Sequence, residues 1–234
     1  MRVENQPAYV LHQRPFRDTS QILEVLTKDY GRLSIMSRGS RGQKSRLKTV
    51  LQPFKALVIG WSGRGEMPTL TAAEPAAQSS VFLQGKSLAC ALYINELLMY
   101  LTYKHDAHQN LFSQYHQTVN RLFETESLEQ ELRKFELGLL DQMGVLVNLS
   151  HDANTGERLK STAEYFYQPE LGVCELADNN KPKNIPVIAG ASFLAISEQR
   201  FDSPAILKDA KSLMRYLINH SLGGKSLKSR ELFR

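Results

Sequence analysis

The segment that decides the fold is QILEVLTKDYGRLSIMSR, residues 21–38. From Ile22 to Leu26, apolar side chains fill both faces except at Glu24, which predicts a mostly buried strand with one polar side chain in its middle. The next four residues, Lys-Asp-Tyr-Gly, have the composition of a turn. The last seven then alternate, with Leu33 and Ile35 on one side, and predict another strand. The front of the chain is therefore predicted to be a β-sheet.

Three further strands are predicted around that segment. They lie at residues 8–12, at residues 54–61 after Pro53, and at residues 66–73 after a Ser-Gly-Arg-Gly turn. Five short strands at this spacing indicate a small closed barrel, and the OB-fold is the common five-stranded barrel that binds nucleic acid. Residues 1–79 are therefore predicted to form an OB-fold domain.

After Pro75 the apolar residues repeat with a helical period. Helices are predicted at residues 88–103, 111–122, 128–143 and 204–217, with Gly144 and Ser203 as caps. Before the last helix, residues 164–168 and 172–176 predict a small hairpin. The predicted fold class is thus α+β, in which residues 80–234 form a mainly helical domain with an irregular hairpin insert at about 150–186.

Charge is distributed unevenly along the 234 residues. The whole chain has 29 Lys and Arg against 24 Asp and Glu, a formal net charge of +5. Residues 1–80 hold twelve basic and six acidic side chains, residues 81–220 hold thirteen and seventeen, and residues 221–234 hold four and one. This asymmetry predicts a face that binds a polyanion. A solvated basic surface without a ligand would have the same composition, so charge alone leaves both interpretations open.

Composition excludes several classes of protein. Hydrophobic residues make up 42% of the chain, which is ordinary for a globular protein. Two cysteines, Cys90 and Cys174, are too few for a disulfide-dense scaffold or a four-cysteine zinc site. Residues 1–10 lack the apolar run of a secretory signal, and the apolar stretch at 88–101 is shorter than the ~20 residues that span a membrane. A reduced, cytoplasmic setting is expected.

The most informative segment for function is RGSRGQKSRLK, residues 38–48, between the third and fourth strands. It has five basic residues, two glycines and no acidic residue. Because unpaired cations are costly to bury, the segment must face solvent or an anion, and its cations can replace the counterions condensed on DNA. Closure of the barrel would bring cations from several connections into one groove. The predicted DNA-binding residues are Arg14, Arg17, Arg32, Arg38, Arg41, Lys44, Arg46, Lys48 and Arg64.

Aromatic side chains near these cations are candidates for stacking on bases. They are Phe16, Tyr30, Phe54 and Trp61. For each of them taken alone, a place in the hydrophobic core is the better interpretation.

Motifs for catalysis are absent from the sequence. The chain has no Walker A loop, GxGxxG, GxSxG or HExxH, and no clustered carboxylates for a two-metal nuclease site. His105 and His108 would approach each other on a helix, and His151 flanks the hairpin region with Cys174, but two ligands do not make a structural zinc site. Glu96, inside the apolar stretch, is interpreted as a hydrogen-bonded structural carboxylate. No enzymatic activity, cofactor or metal is therefore expected.

A basic step, Arg133-Lys134, lies on the predicted helix that carries Leu132 and Phe135. It has two interpretations. Spacing alone favours a solvated step on an amphipathic helix. Alternatively, cations beside an apolar groove suit an acidic or C-terminal peptide.

Short segments spread along nearly the whole chain form a distinctive series in a fixed order. They are YVLH (9–12) with RP (14–15), DTS (18–20), GR (31–32), LQPF (51–54), GRGE (63–66), YINELL (93–98), RKFEL (133–137) and LKSREL (227–232). Together these segments resemble the RecO family, the bacterial recombination mediators of the RecF pathway.

The resemblance implies an N-terminal OB-fold followed by a helical domain. It also implies binding of single- and double-stranded DNA, annealing of complementary strands, and assistance in loading RecA onto strands covered by single-strand-binding protein. The implied partners are RecR and the acidic C-terminal tail of single-strand-binding protein, and the implied setting is the cytoplasm, in association with the nucleoid. In this light Arg133 and Lys134 become the expected contacts for the tail.

One departure from the family pattern concerns zinc. Some members carry a four-cysteine zinc module in the region that corresponds to residues 150–180, where this chain has only Cys174. The zinc is therefore not carried over, and the hairpin is expected to be held by packing.

Two rival functions come from other classes of protein. A protein-interaction adaptor would use the same basic face to bind an acidic protein, and direct binding of bare oligonucleotide separates it from a DNA-binding protein. A nuclease is disfavoured because the sequence lacks the carboxylate cluster that such an enzyme needs.

Overall fold

The computed structural model describes residues 1–77, 82–176 and 182–233. The chain forms two compact units: Met1–Glu126 together with the segment from Leu227 onward, and Ser127–Ser226. The predicted boundary between residues 79 and 80 lies outside the described residues and stays a prediction.

The first unit begins with a closed barrel of five strands in the order β1-β2-β3-β5-β4, which confirms the predicted OB-fold. The strands are β1 (Arg2–Phe16), β2 (Ser20–Thr27), β3 (Gly31–Ser37), β4 (Leu57–Ser62) and β5 (Thr69–Pro75), and the short helix α1 (Leu47–Val50) precedes β4. β1 is much longer than predicted, because it pairs first with β4 and then with β2. β4 begins later than predicted, because Phe54 has a φ of +68° and cannot continue a strand.

The barrel core is apolar and closed at one side by α1. It is formed by inward-facing side chains of the strands together with Leu51, which is 1% exposed, and Leu47 and Val50 of α1 pack against it. The members from the strands include Val10, Leu23, Val25, Leu33, Ile35, Leu57, Ile59 and Trp61. The alternation predicted for residues 21–38 therefore serves this core.

Helices α2 (Gly85–Leu101) and α3 (Gln109–Glu124) belong to the same unit as the barrel. They are attached to β1 at a β-bulge, where the pairing register with β2 shifts between Val10 and His12. Asn95 of α2 donates a hydrogen bond from Nδ2 to the carbonyl oxygen of Leu11 at 2.9 Å, and its Oδ1 accepts one from the Tyr115 hydroxyl at 2.7 Å. The polar residue inside the apolar helix thus satisfies a carbonyl that the bulge leaves without a partner strand.

A 3₁₀-helix, Lys228–Phe233, returns to the first unit and is held by Glu96 of α2. Oε1 of Glu96 accepts a hydrogen bond from the backbone N–H of Lys228 at 2.9 Å, and Oε2 accepts one from the N–H of Ser229 at 2.9 Å. Phe233 packs edge-to-face on Tyr93, with the ring centroids 6.1 Å apart. These contacts agree with the structural interpretation of Glu96.

The second unit contains α4 (Leu128–Gln142), α5 (Gly190–Ser197) and α6 (Pro204–Ser221). The predicted caps are confirmed: Gly144 has a φ of +70°, and the Ser203 hydroxyl accepts a hydrogen bond from the N–H of Ile206. α5 was not predicted, because its eight residues are almost uniformly apolar and give no helical period. Among the described residues, no helix combines the length and apolar character needed to cross a membrane.

A small antiparallel sheet in the order β7-β6-β8 completes the second unit. It consists of β6 (Glu164–Gln168), β7 (Gly172–Glu175) and β8 (Val187–Ala189). The first two strands are the predicted hairpin, whereas β8 was not predicted. Residues 177–181 of the predicted insert lie outside the described residues.

The buried carboxylate of Asp152 organises the segment that leads into this sheet. Its Oδ1 accepts hydrogen bonds from the backbone N–H groups of Asn154 and Thr155 at 2.8 and 2.9 Å, and its Oδ2 accepts one from Glu175 of β7 at 2.7 Å. Burial raises the pKa of Asp152, but the backbone donors together outweigh it, so that the pKa lies below its ordinary value. A charged hydrogen-bond acceptor therefore ties the hairpin to its preceding loop.

We predict that Asp152→Asn destabilises the protein by about 1–3 kcal/mol at pH 7, because an amide cannot accept all three backbone hydrogen bonds. Since the pKa is lower in the folded state, the stabilisation is present at neutral pH and is lost as the pH falls below the ordinary aspartate pKa of about 3.9. Urea unfolding at pH 7 and at lower pH values measures both effects. The exposed Asp141→Asn is the control, and equal losses in the two variants would contradict the assignment.

Candidate nucleic-acid interface

Three connections of the barrel meet at one end. Gln21, near the start of β2, pairs with Ser37 at the end of β3. Met36 of β3 pairs with Thr69 of β5 and donates its N–H to the carbonyl oxygen of Pro68 at 2.8 Å. The β1–β2 turn, the β3–α1 connection and the β4–β5 loop are therefore neighbours, and OB-folds use the first and last of these connections to bind oligonucleotides.

Arg41 joins the basic β3–α1 connection to the β1–β2 turn. Its backbone N–H donates to the carbonyl oxygen of Thr19 at 2.8 Å, and its Nη1 donates to that of Arg17 at 3.3 Å. The Arg17 guanidinium lies over the Phe16 ring, 5.3 Å from its centroid. Two predicted DNA-binding arginines from different connections are thus held side by side, and one of them is oriented by an aromatic ring.

Most of the predicted cations are exposed. Among the described residues none of them forms an ion pair with a carboxylate, so their charge remains available to an anion. These exposed residues are Arg14, Arg17, Arg38, Arg41, Lys44, Arg46, Lys48 and Arg64.

The last part of the basic segment is helical and not a loop. Arg46 occupies the N-cap position of α1, and Lys48 lies within the helix. Leu47 and Val50 face the barrel core, whereas Arg46 and Lys48 are exposed. The helix therefore anchors one end of the segment by apolar packing and presents its cations outward.

Arg32 corrects the sequence prediction. It is only 8% exposed, and its Nη1 lies 3.1 Å from Oε2 of Glu24 on β2. Its Nε donates to Oγ1 of Thr102 at 3.2 Å, and its Nη2 donates to the Thr102 carbonyl oxygen at 2.8 Å. A guanidinium that is buried and engaged in this way cannot reach a phosphate, so Arg32 leaves the proposed DNA-binding set.

Gly31 and Arg32 are the points at which the connection after α2 lies against β3. Lys104 also approaches Glu24, with its Nζ 3.6 Å from Oε1, and the His105 N–H donates to the Arg32 carbonyl oxygen at 2.8 Å. Gly31 has a φ of +65°, and a Cβ at this position would lie 2.0 Å from the backbone oxygen of Asp106. Gly31 and Arg32 thus hold the connection that follows α2 against β3. The sequence does hold an indication that Arg32 is buried: its partner Glu24 is the one carboxylate in a mostly apolar strand.

The aromatic candidates separate into two groups. Phe54 and Trp61 are buried, at 8% and 4% exposure, as their core interpretation predicts. Tyr30 is partly buried and packs edge-to-face on Trp61, with ring centroids 5.2 Å apart. Phe16 is the candidate that lies directly among the exposed cations.

The basic step on α4 also differs from the prediction. Arg133 is 6% exposed, and its Nη2 donates to Oε1 of Glu136 at 2.9 Å. Lys134 pairs with Glu131 at 2.9 Å, but about a third of its side chain is exposed. Lys134 is therefore the member of the step that an acidic peptide can reach, while Arg133 serves the interior of the unit.

Among the residues that the structure describes, the histidines are not grouped as metal ligands. His105 has a φ of +61° and lies in the connection before α3, and His108 precedes that helix with its Nε2 3.0 Å from Oδ2 of Asp106. The sequence analysis predicted that these two imidazoles lie on one helix, and in the structure they do not. Within residues 1–77, 82–176 and 182–233, no three His, Cys, Asp or Glu side chains come together as metal ligands.

Comparison with known proteins covers both parts of the chain. Residues 1–79 match the family model described as Recombination protein O N terminal, and residues 83–231 match Recombination protein O C terminal. Proteins named DNA repair protein RecO are similar over nearly the whole of this chain. The chain is 38% identical to that of Polynucleobacter necessarius, covering 99% of this chain and 96% of the relative. It is 40% identical to those of Azoarcus sp. (99% and 95% covered) and Methylococcus capsulatus (97% and 91% covered).

We predict that Arg32→Ala destabilises the protein by about 3–5 kcal/mol, because the mostly covered Glu24 carboxylate loses its guanidinium and keeps only Lys104 at 3.6 Å, and the hydrogen bonds to Thr102 are lost. The exposed Arg38→Ala is the control and should change stability by no more than about 0.5 kcal/mol. Denaturant unfolding measures both. A cost for Arg32→Ala as small as that of the control would contradict the buried ion pair.

Proposed function

The chain belongs to the RecO family of DNA repair proteins, and we propose that it acts as a recombination mediator that binds single- and double-stranded DNA. In this proposal it anneals complementary strands and assists RecA loading onto DNA coated by single-strand-binding protein, in RecF-pathway repair. The observation that carries the proposal is the set of eight exposed cations around three neighbouring connections of the barrel.

Annealing follows from this charge distribution without a bond-breaking step. Two complementary strands repel each other through their phosphates, and cations on one surface lower that repulsion for both strands. Because each phosphate contact releases condensed counterions, binding should weaken with salt at a log–log slope of about −0.7 per contact for single strands. No cofactor is required by this mechanism.

The proposed partners are RecR, RecA filaments as an indirect partner, and the acidic C-terminal tail of single-strand-binding protein. For the tail, the partly exposed Lys134 of α4 is the proposed contact, with Arg133 holding the local structure from inside. We place the protein in the cytoplasm, associated with the nucleoid.

We predict that Arg38→Glu combined with Lys44→Glu weakens binding of single-stranded oligonucleotide at least tenfold. The salt slope should become shallower by about 1.4, since two phosphate contacts are lost. Fluorescence anisotropy over a salt series measures both quantities.

The matched control for this variant is Lys86→Glu combined with Lys228→Glu. Both of these lysines are exposed in the same unit, and the change in net charge is the same. Equal losses in the two variants would contradict an interface at this end of the barrel. Failure of the wild type to bind bare DNA would favour the adaptor and reject the proposed function.

We predict that Lys134→Glu weakens binding of an acidic tail peptide about fivefold or more, while affinity for oligonucleotide stays within about twofold, because a charged contact is worth roughly 1 kcal/mol at a partly exposed site. Calorimetric titration of the peptide measures this change. The exposed Lys160→Glu in the same unit is the control. Unchanged peptide affinity in Lys134→Glu would remove α4 as the tail site.

A further inference from the structure

A pocket of about 320 Å³ opens in the first unit between the β4–β5 loop and the β2–β3 turn. Its apolar walls include the partly buried Tyr30 and the accessible edges of Leu33, Trp61 and Pro68, whose side chains are otherwise buried, and its rim includes Arg64 and His105. This volume is at the small end of the range for ligand pockets, about 300–1,000 Å³. The pocket therefore suits one compact group better than a length of peptide.

The pocket lies where β3 and β5 pair at only one position, beside the connection after α2, whose Lys104 forms a bridge with Arg32 of β3. β3 and β5 pair through Met36 and Thr69, so the part of β3 that includes Leu33 has no partner residue on β5 among the described pairs. Tyr30 fills one side of the gap and meets Trp61 edge-to-face. The result is an aromatic-lined opening in the wall of a nucleic-acid-binding type of barrel.

The rim carries the charge expected for a phosphorylated ligand. Arg64 is exposed in the β4–β5 loop between Gly63 and Gly65. A Cβ on Gly65 would meet nothing within 4 Å, so the loop backbone there stays open to an incoming group. No lining residue is a carboxylate. The same loop is one of the three connections that carry the exposed cations.

We propose that this pocket accepts a single unpaired nucleobase of a bound DNA strand, with the adjoining phosphate at Arg64. The inference rests on the proposed function, which it deepens by giving one base of the strand a place on the protein. A base offers a planar apolar ring next to an anion, and this combination matches an aromatic wall beside an arginine. Since every base has a stacking face, such a site tolerates any sequence, as annealing of arbitrary strands requires.

The test uses Trp61, the one tryptophan of the chain, as an internal reporter. Labelled oligo-dT and an abasic oligomer of the same length are titrated separately, with binding followed by label anisotropy and the pocket by tryptophan emission. We expect the base-bearing strand to bind about fivefold or more tightly than the abasic one, as stacking of one base allows. Trp61 emission should change with oligo-dT and stay constant with the abasic strand.

Two variants sharpen the test. Tyr30→Leu should reduce the preference for the base-bearing strand, and Arg64→Gln, at an exposed position, should weaken the Trp61 response. The control Arg38→Gln should lower affinity for both strands and leave their ratio unchanged.

The outcomes separate the inference from the function that it rests on. Anisotropy binding with unchanged Trp61 emission, or equal affinity for the two strands, would overturn the pocket assignment and leave the DNA-binding function intact. If neither the base-bearing nor the abasic strand binds, both the pocket assignment and the proposed DNA-binding function are overturned.

Discussion

The buried guanidinium of Arg32 is the constraint on which the first unit depends. A buried charge is tolerated only where it is paired and hydrogen-bonded, and Arg32 meets this condition by joining Glu24 of β2 to Thr102 at the end of α2. The connection after α2 therefore has to run along β3, and Gly31 leaves the space for it. Together with Asn95 at the bulge of β1, this contact fixes two helices on the barrel.

The chain uses its arginines in two physically different ways. Arg32 and Arg133 are buried beside carboxylates and serve the interior of their units. The cations of the β1–β2 turn, the β3–α1 connection and the β4–β5 loop face outward without such partners among the described residues. Like charges held close together repel each other and reduce stability, so a concentration of this kind is explained by an anionic ligand better than by folding.

Periodicity in the sequence predicted most elements of the fold, because it reports which face of a strand or helix is buried. It did not predict β8 or α5, which are too short or too uniformly apolar to show a period. Periodicity also did not separate Arg32 from the exposed cations. Thr102, the hydrogen-bond partner of Arg32, lies 70 residues away along the chain, and the contact exists only after folding. Five of the eight exposed cations were predictable because they lie in residues 38–48, a segment with no acidic residue to pair with.

The attachment of the 3₁₀-helix to Glu96 has a consequence for the order in which the molecule is made. Residues 227–233 pack in the first unit, yet they follow the whole second unit along the chain. During synthesis, which proceeds from the N-terminus, the barrel and its two helices emerge early, and the N–H groups that satisfy Glu96 emerge more than a hundred residues later. The first unit therefore begins to fold before the second unit has been made. It is completed only after the second unit has left the ribosome.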